Sequence, residues 1–187
     1  MSSTTRPSRN GERDAYYTPD AVARACIRVT EIPAGAMVLE PSVGGGAFVR
    51  ALAGRFVAAL DIDPQAPGLA LVGTAAAVAD FERWTPGATR PEWVVGNPPF
   101  NAAQTHVVKA LSLATVGVGF LLRLAFLEGQ LRAPFWRAHP AAEVHVLTAR
   151  PSFTGGGTDS AAYGWFVWRA GHTGPTTLHH LDWRARG

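Results

Sequence analysis

The apolar positions of the chain follow two rhythms. Unbroken apolar runs recur at 36–39, 56–60, 75–79, 93–96 and 116–122. They are too short for helices and suit strands covered on both faces. Two further runs, 143–148 and 163–168, read as strands, the second rich in aromatic residues. Between the runs the spacing turns helical. Ala21, Val22, Ala25, Cys26 and Val29 share one face of a helix, with Thr18 as its N-cap and Pro19 in its first turn. Further helices are expected at 47–53 and 105–113, and a mostly helical stretch with a break near Pro134 at 124–136. Strands alternating with helices predict an α/β fold with a mostly parallel sheet.

Polar residues collect where these runs end. The first strand leads into Glu40-Pro41-Ser42-Val43-Gly44-Gly45-Gly46-Ala47-Phe48, a glycine loop that opens a helix and lets a ligand approach the backbone. A tight turn that only needs positive φ would look the same. The second strand ends in Asp61-Ile62-Asp63-Pro64. An acid there can accept hydrogen bonds from both hydroxyls of a ribose; Asp61 is the choice, and Asp63, before a proline, is its competitor. Asp80-Phe81 ends the third run, with Asp80 able to accept from an adenine amine and Phe81 to line the ring.

The fourth strand ends in Gly96-Asn97-Pro98-Pro99-Phe100. Each proline fixes its own φ and confines the residue before it to extended geometry, so this turn is rigid without a ligand. The Asn97 side-chain carbonyl and the Pro98 backbone carbonyl make two acceptors aimed at one small donor. An exocyclic amine or a carboxamide is such a donor. Accepting both its hydrogens turns the nitrogen lone pair towards an electrophile, with Phe100 as a flat face alongside. The loop 150–160 is a second place to look, since scaffold loops carry function. There Arg150 could meet substrate and Phe153 could stack opposite Phe100, or Phe153 could plug the core.

Composition narrows the setting. The chain has 187 residues, 47% of them hydrophobic, enough for one well-buried domain at 15–187. Residues 1–14 carry three arginines and no apolar period, and are expected to be a flexible arm. Seventeen basic residues against fourteen acidic ones give a formal charge of +3, weak support for a nucleic-acid partner. A lone cysteine permits no internal disulfide, no Cys/His spacing suggests a metal, and no apolar stretch suits a membrane. His179 and His180 are assigned no role. A cytoplasmic protein without a metal is expected.

Taken in order, these motifs resemble the adenine-N6 DNA methyltransferases, in which an Asn-Pro-Pro-aromatic turn follows a cofactor-binding half. The resemblance runs over about residues 16–100, with Tyr17-Thr18-Pro19 matching the segment that precedes the first strand. It implies a Rossmann-like class I methyltransferase with a seven-stranded sheet and an antiparallel last strand. It implies S-adenosylmethionine, with its methionine end at Thr18, Glu40 and the loop through Gly44 and Gly46. The same resemblance places ribose at Asp61 and adenine at Ile62, Asp80 and Phe81, with Tyr17, Pro19, Pro41, Phe48 and Asn97 in the same cofactor set. Asn97, Pro98, Pro99 and Phe100 become the catalytic turn.

Family members that read a DNA sequence usually carry a separate recognition domain, and about twenty residues follow the last aromatic strand here. The expectation is a small form like those of phages and prophages. Specificity would then be low, or come from the loop 150–160, the arm, a homodimer or another subunit. DNA is the expected substrate. An RNA base amine, a protein glutamine, or non-catalytic binding of nucleic acid are the alternatives.

Overall fold

The computed structural model describes residues 17–153 and 159–185. The expected arm, residues 1–14, lies outside that range, as does the glycine-rich middle of the 150–160 loop. Among the described residues, eight strands form one sheet: β1 (Met37–Glu40), β2 (Phe56–Asp61), β3 (Ala76–Val78), β4 (Trp93–Gly96), β5 (Gly117–Arg123), β6 (Glu143–Leu147), β7 (Tyr163–Arg169) and β8 (Thr177–Leu181). Their order across the sheet is β3-β2-β1-β4-β5-β7-β6-β8.

One detail corrects the expectation of seven strands with the last one antiparallel: there are eight among the described residues. The strand-like segment at the chain's end pairs with β6 in parallel, His145 opposite His179, and makes an eighth strand. The seventh strand is antiparallel, as expected, and it lies between β5 and β6 and opposes both. β7 can sit there because both its faces are apolar: Tyr163, Trp165 and Val167 pack into one core layer, Phe166 and Trp168 into the other.

Helix α1 (Asp20–Thr30) closes the first layer with α2 (Ala47–Ala51), through Val22, Ala25, Cys26, Phe48 and Leu52. Helix α3 (Ala103–Leu113) closes the second through Ala103, Val107 and Ala110. Trp165 ties the first layer together: its indole Nε1 donates to Thr30 Oγ1 at 2.8 Å, and that hydroxyl donates to the Cys26 carbonyl at 2.8 Å. The segment after β5 departs from the helical reading. It makes two single 3-10 turns, Leu124–Leu127 and Gln130–Arg132, before the short helix α4 (Ala133–Ala138). Pro134 does not break a helix; it sits in the first turn of one, where its missing N–H costs nothing.

Candidate active site

The parallel strands β3, β2, β1, β4 and β5 all end at one edge of the sheet, where ligands of open α/β folds bind. The glycine loop crosses that edge between β1 and α2. Gly44 and Gly46 have φ of 46° and 79°, left-handed values that side chains resist. The loop is held from two sides. Asp61 Oδ2 accepts the Gly44 N–H at 2.8 Å, and the Gly44 carbonyl accepts the Gly68 N–H at 2.8 Å. The other Asp61 oxygen accepts the Asp63 N–H at 2.9 Å. Asp61 therefore couples the end of β2 to the loop while each oxygen keeps a second lone pair for a ligand. Asp63 caps the next turn through Gln65 N–H, which favours Asp61 of the two candidates.

Thr18 does not cap the helix. Pro19 stands at the N-cap of α1 without a side-chain bond, and the Thr18 hydroxyl instead accepts Asn97 Nδ2 at 3.1 Å, across 79 positions of sequence. This bond fixes the amide. Asn97 Oδ1 is left buried with no partner, and so is Glu40 Oε2. Buried polar atoms are almost always satisfied, so two orphaned acceptors in one place point to a missing donor. Both residues line a small gap of about 20 Å3 with Tyr17, Thr18, Gly44 and Phe48. The Tyr17 ring lies over the loop, where a Cβ on Gly45 would come 3.2 Å from it.

Glu40 is 1% exposed. Burial, and then the negative charge of Asp61, hold its carboxyl well above the usual carboxylate range. A cation arriving at Oε2 would reverse both effects. Pro41 behind it is buried and Ile62 is exposed at the lip. Asp80 is held through a turn to the Glu82 N–H and faces Arg83 at 3.6 Å. Phe81 is packed inside the second core layer, its ring tilted against His106 at 5.3 Å.

Beyond Asn97, Pro98 is buried, Pro99 exposed, and Phe100 begins a 3-10 turn. Phe100 also lines a larger cavity of about 440 Å3 with Asn101, Leu122, Arg123, Phe126 and Arg132, within the range of small-ligand sites. The Arg123 guanidinium lies 4.6 Å from the Phe100 ring centroid. Phe153 does not face Phe100 across an open slot. It is 5% exposed and packs in the core, edge-on to Phe100 at 6.3 Å and to Tyr163 at 5.0 Å. Burial of its ring favours the core-plug reading of that loop. Arg150 is exposed beyond β6.

The sequence reading missed Arg123 and the chain of bonds behind it: Arg123 Nε donates to Tyr163 Oη at 3.4 Å, and Tyr163 donates to Asp159 at 2.7 Å. Its signal was a single charge closing the apolar run 116–122.

No family model matches the chain. It is 36% identical over 95 residues to a type II methyltransferase of Thermus thermophilus, a match covering 44% of this chain and 20% of that protein. Among solved structures, a Listeria monocytogenes protein assigned as a class I S-adenosylmethionine-dependent methyltransferase superposes with a TM-score of 0.65 at 15% identity. That superposition covers 92% of this chain and 68% of the other. The fold is that of the class I methyltransferases. A Vibrio vulnificus protein assigned as the modification subunit of a type I restriction enzyme gives a TM-score of 0.68 at 15% identity, covering 91% of this chain. This chain spans about half (48%) of that subunit's length. Methyltransferases of RNA share the class I fold too. Among the described residues, no helix is long and apolar enough to cross a membrane.

Proposed function

We propose that the chain transfers a methyl group from S-adenosylmethionine to an exocyclic amine of a nucleobase, adenine N6 in DNA. One observation carries the reading: the buried, unpartnered Oδ1 of Asn97, whose amide is held by Thr18 at the start of the Pro98-Pro99 turn. Neutral carbonyl acceptors suit a neutral amine, whose direct methylation needs no covalent enzyme intermediate.

The residues present fit the cofactor. Glu40 Oε2 is an orphaned acceptor for an ammonium group, the glycine loop gives a close backbone approach, and Asp61 retains lone pairs for ribose hydroxyls. Ile62 and Asp80, at the ends of β2 and β3, would line the adenine ring, whereas Phe81 is buried in the second core layer. Bound there, S-adenosylmethionine supplies an electrophilic methyl group on sulfur and departs as the neutral thioether. Asn97 and Pro98 hold both hydrogens of the substrate amine, which localises its lone pair and fixes its direction of approach. The nitrogen gains the methyl group and loses one proton to water. Phe100 and the adjoining cavity, with Arg123 over the ring, would receive the base, which must be single-stranded or extruded from a duplex.

DNA is favoured over RNA and over a glutamine side chain by the kinship to the type II methyltransferase. A labelled-methyl assay on duplex DNA, single-stranded DNA, RNA and bulk protein, with identification of the modified residue, separates these substrates. N6-methyladenine in DNA is the expected product. Asn97→Ala should lower transfer by at least about 100-fold, the scale of lost positioning, while cofactor binding by calorimetry stays within a few-fold. Loss of both together would overturn the division of roles.

A further inference from the structure

Away from the strand ends, three potential metal ligands meet on the β6/β8 edge of the sheet. Glu143 and His145 lie two positions apart on β6 and so share a face, and His179 is the direct register partner of His145 on β8. One ligand atom from each lies within 4.8 Å of the other two. We propose that Glu143, His145 and His179 form a binding site for a divalent transition ion of the zinc type.

The chemistry of the set supports this. Two imidazoles and one carboxylate are a recurrent zinc donor set that leaves a position for water, whereas magnesium and calcium prefer oxygen throughout. Glu143 Oε2 is already 2.8 Å from His145 Nε2, a spacing that a shared ion would widen only slightly. The carboxylate is oriented from behind, since its other oxygen accepts Arg169 Nε at 3.1 Å and Nη2 at 3.0 Å. Such a supporting bond fixes the direction of a ligand, although the guanidinium charge also weakens attraction for a cation. The rings of His145 and His179 stack at 4.7 Å, 20° from parallel. His145 is buried on the sheet. His179 is exposed on an edge strand, and its ring leaves the stack with His145 to close the remaining distance.

The site would join β8 to β6 by a bond between side chains, adding to the backbone ladder of an edge strand that is otherwise largely exposed. An ion that binds only the folded chain stabilises it by mass action. None of its ligands belongs to the strand ends described above, so the site is independent of the proposed transfer reaction.

The test is titration of the metal-free protein with Co2+, read by its visible absorption, followed by Zn2+ competition and thermal melting with and without Zn2+. His180→Ala is the control, since His180 follows on the same strand and points to the opposite face. One saturable Co2+ site is expected, displaced by Zn2+, with affinity at least 10-fold weaker in His179→Ala and unchanged in His180→Ala. Zinc should raise the melting temperature of the wild type and of His180→Ala only. His179 is exposed, so its variant keeps the fold; His145→Gln supplies a second reading from the buried ligand. Absence of a saturable site, or equal binding by the His179 and His180 variants, would overturn the proposal.

Discussion

Glu40 shows how a binding residue can work against the stability of the chain that carries it. Its folded-state carboxyl titrates above the ordinary value. A group whose folded pKa is raised contributes stability below its unfolded pKa, and that contribution is lost as pH rises through the folded value. Near neutrality the buried carboxyl, with Oε2 unpartnered, is therefore a net cost. Glu40→Gln should unfold at a higher temperature than wild type at pH 8, by an increment corresponding to about 1–3 kcal/mol, and the advantage should vanish near pH 4. The same variant should bind S-adenosylmethionine at least about 10-fold more weakly, because the missing partner charge is worth roughly 1.4 kcal/mol or more. Melting curves at the two pH values, set beside calorimetric titration, read both effects. A variant that gained neither stability nor lost affinity would remove Glu40 from the site.

At the scale of elements, the glycine loop depends on a residue outside it. Gly68 opens no motif, but an added Cβ there would fall 2.8 Å from both Cα and N of Gly46, and its N–H donates to Gly44. Gly68→Ala should destabilise the protein by about 1–3 kcal/mol, the usual cost of overpacking, and weaken cofactor binding as the loop shifts. Denaturant unfolding and a binding titration measure the two. The sequence made the loop, Asn97 and the strands legible because each rests on local chemistry: unbroken apolar runs, fixed proline φ, glycines at a strand end. Gly68 was not legible, since its approach to Gly46 arises from a 3-10 turn packing on the loop and leaves no periodic trace. Thr18 was misassigned for the same kind of reason. A hydroxyl before a helix is a cap by default, and only the folded chain brings Asn97 to it. Phe153 was open between two roles, and its burial against Phe100 and Tyr163 decides how it sits.

Across the whole molecule, α1 is fastened to the sheet through one buried polar link, Trp165 to Thr30. Thr30→Val keeps the shape and removes the acceptor, so the indole N–H is buried unsatisfied at about 1–3 kcal/mol. With roughly 2–4 °C per kcal/mol for a chain of this size, melting should drop by about 2–12 °C. Methyl transfer per folded molecule should stay unchanged, which a thermal scan and an activity assay at low temperature would test. The alternation of apolar runs made the α/β class legible; the position of β7 was not, because strand order depends on how the chain crosses over and both faces of that strand are equally apolar. That position has a consequence for how the protein is made. β5 emerges from the ribosome some forty residues before β7, and β6 is its neighbour only through β7. Until residues 163–169 are released, the nascent sheet presents the apolar β5 as an open edge, so the growing chain must shield that strand from other polypeptides through much of its synthesis.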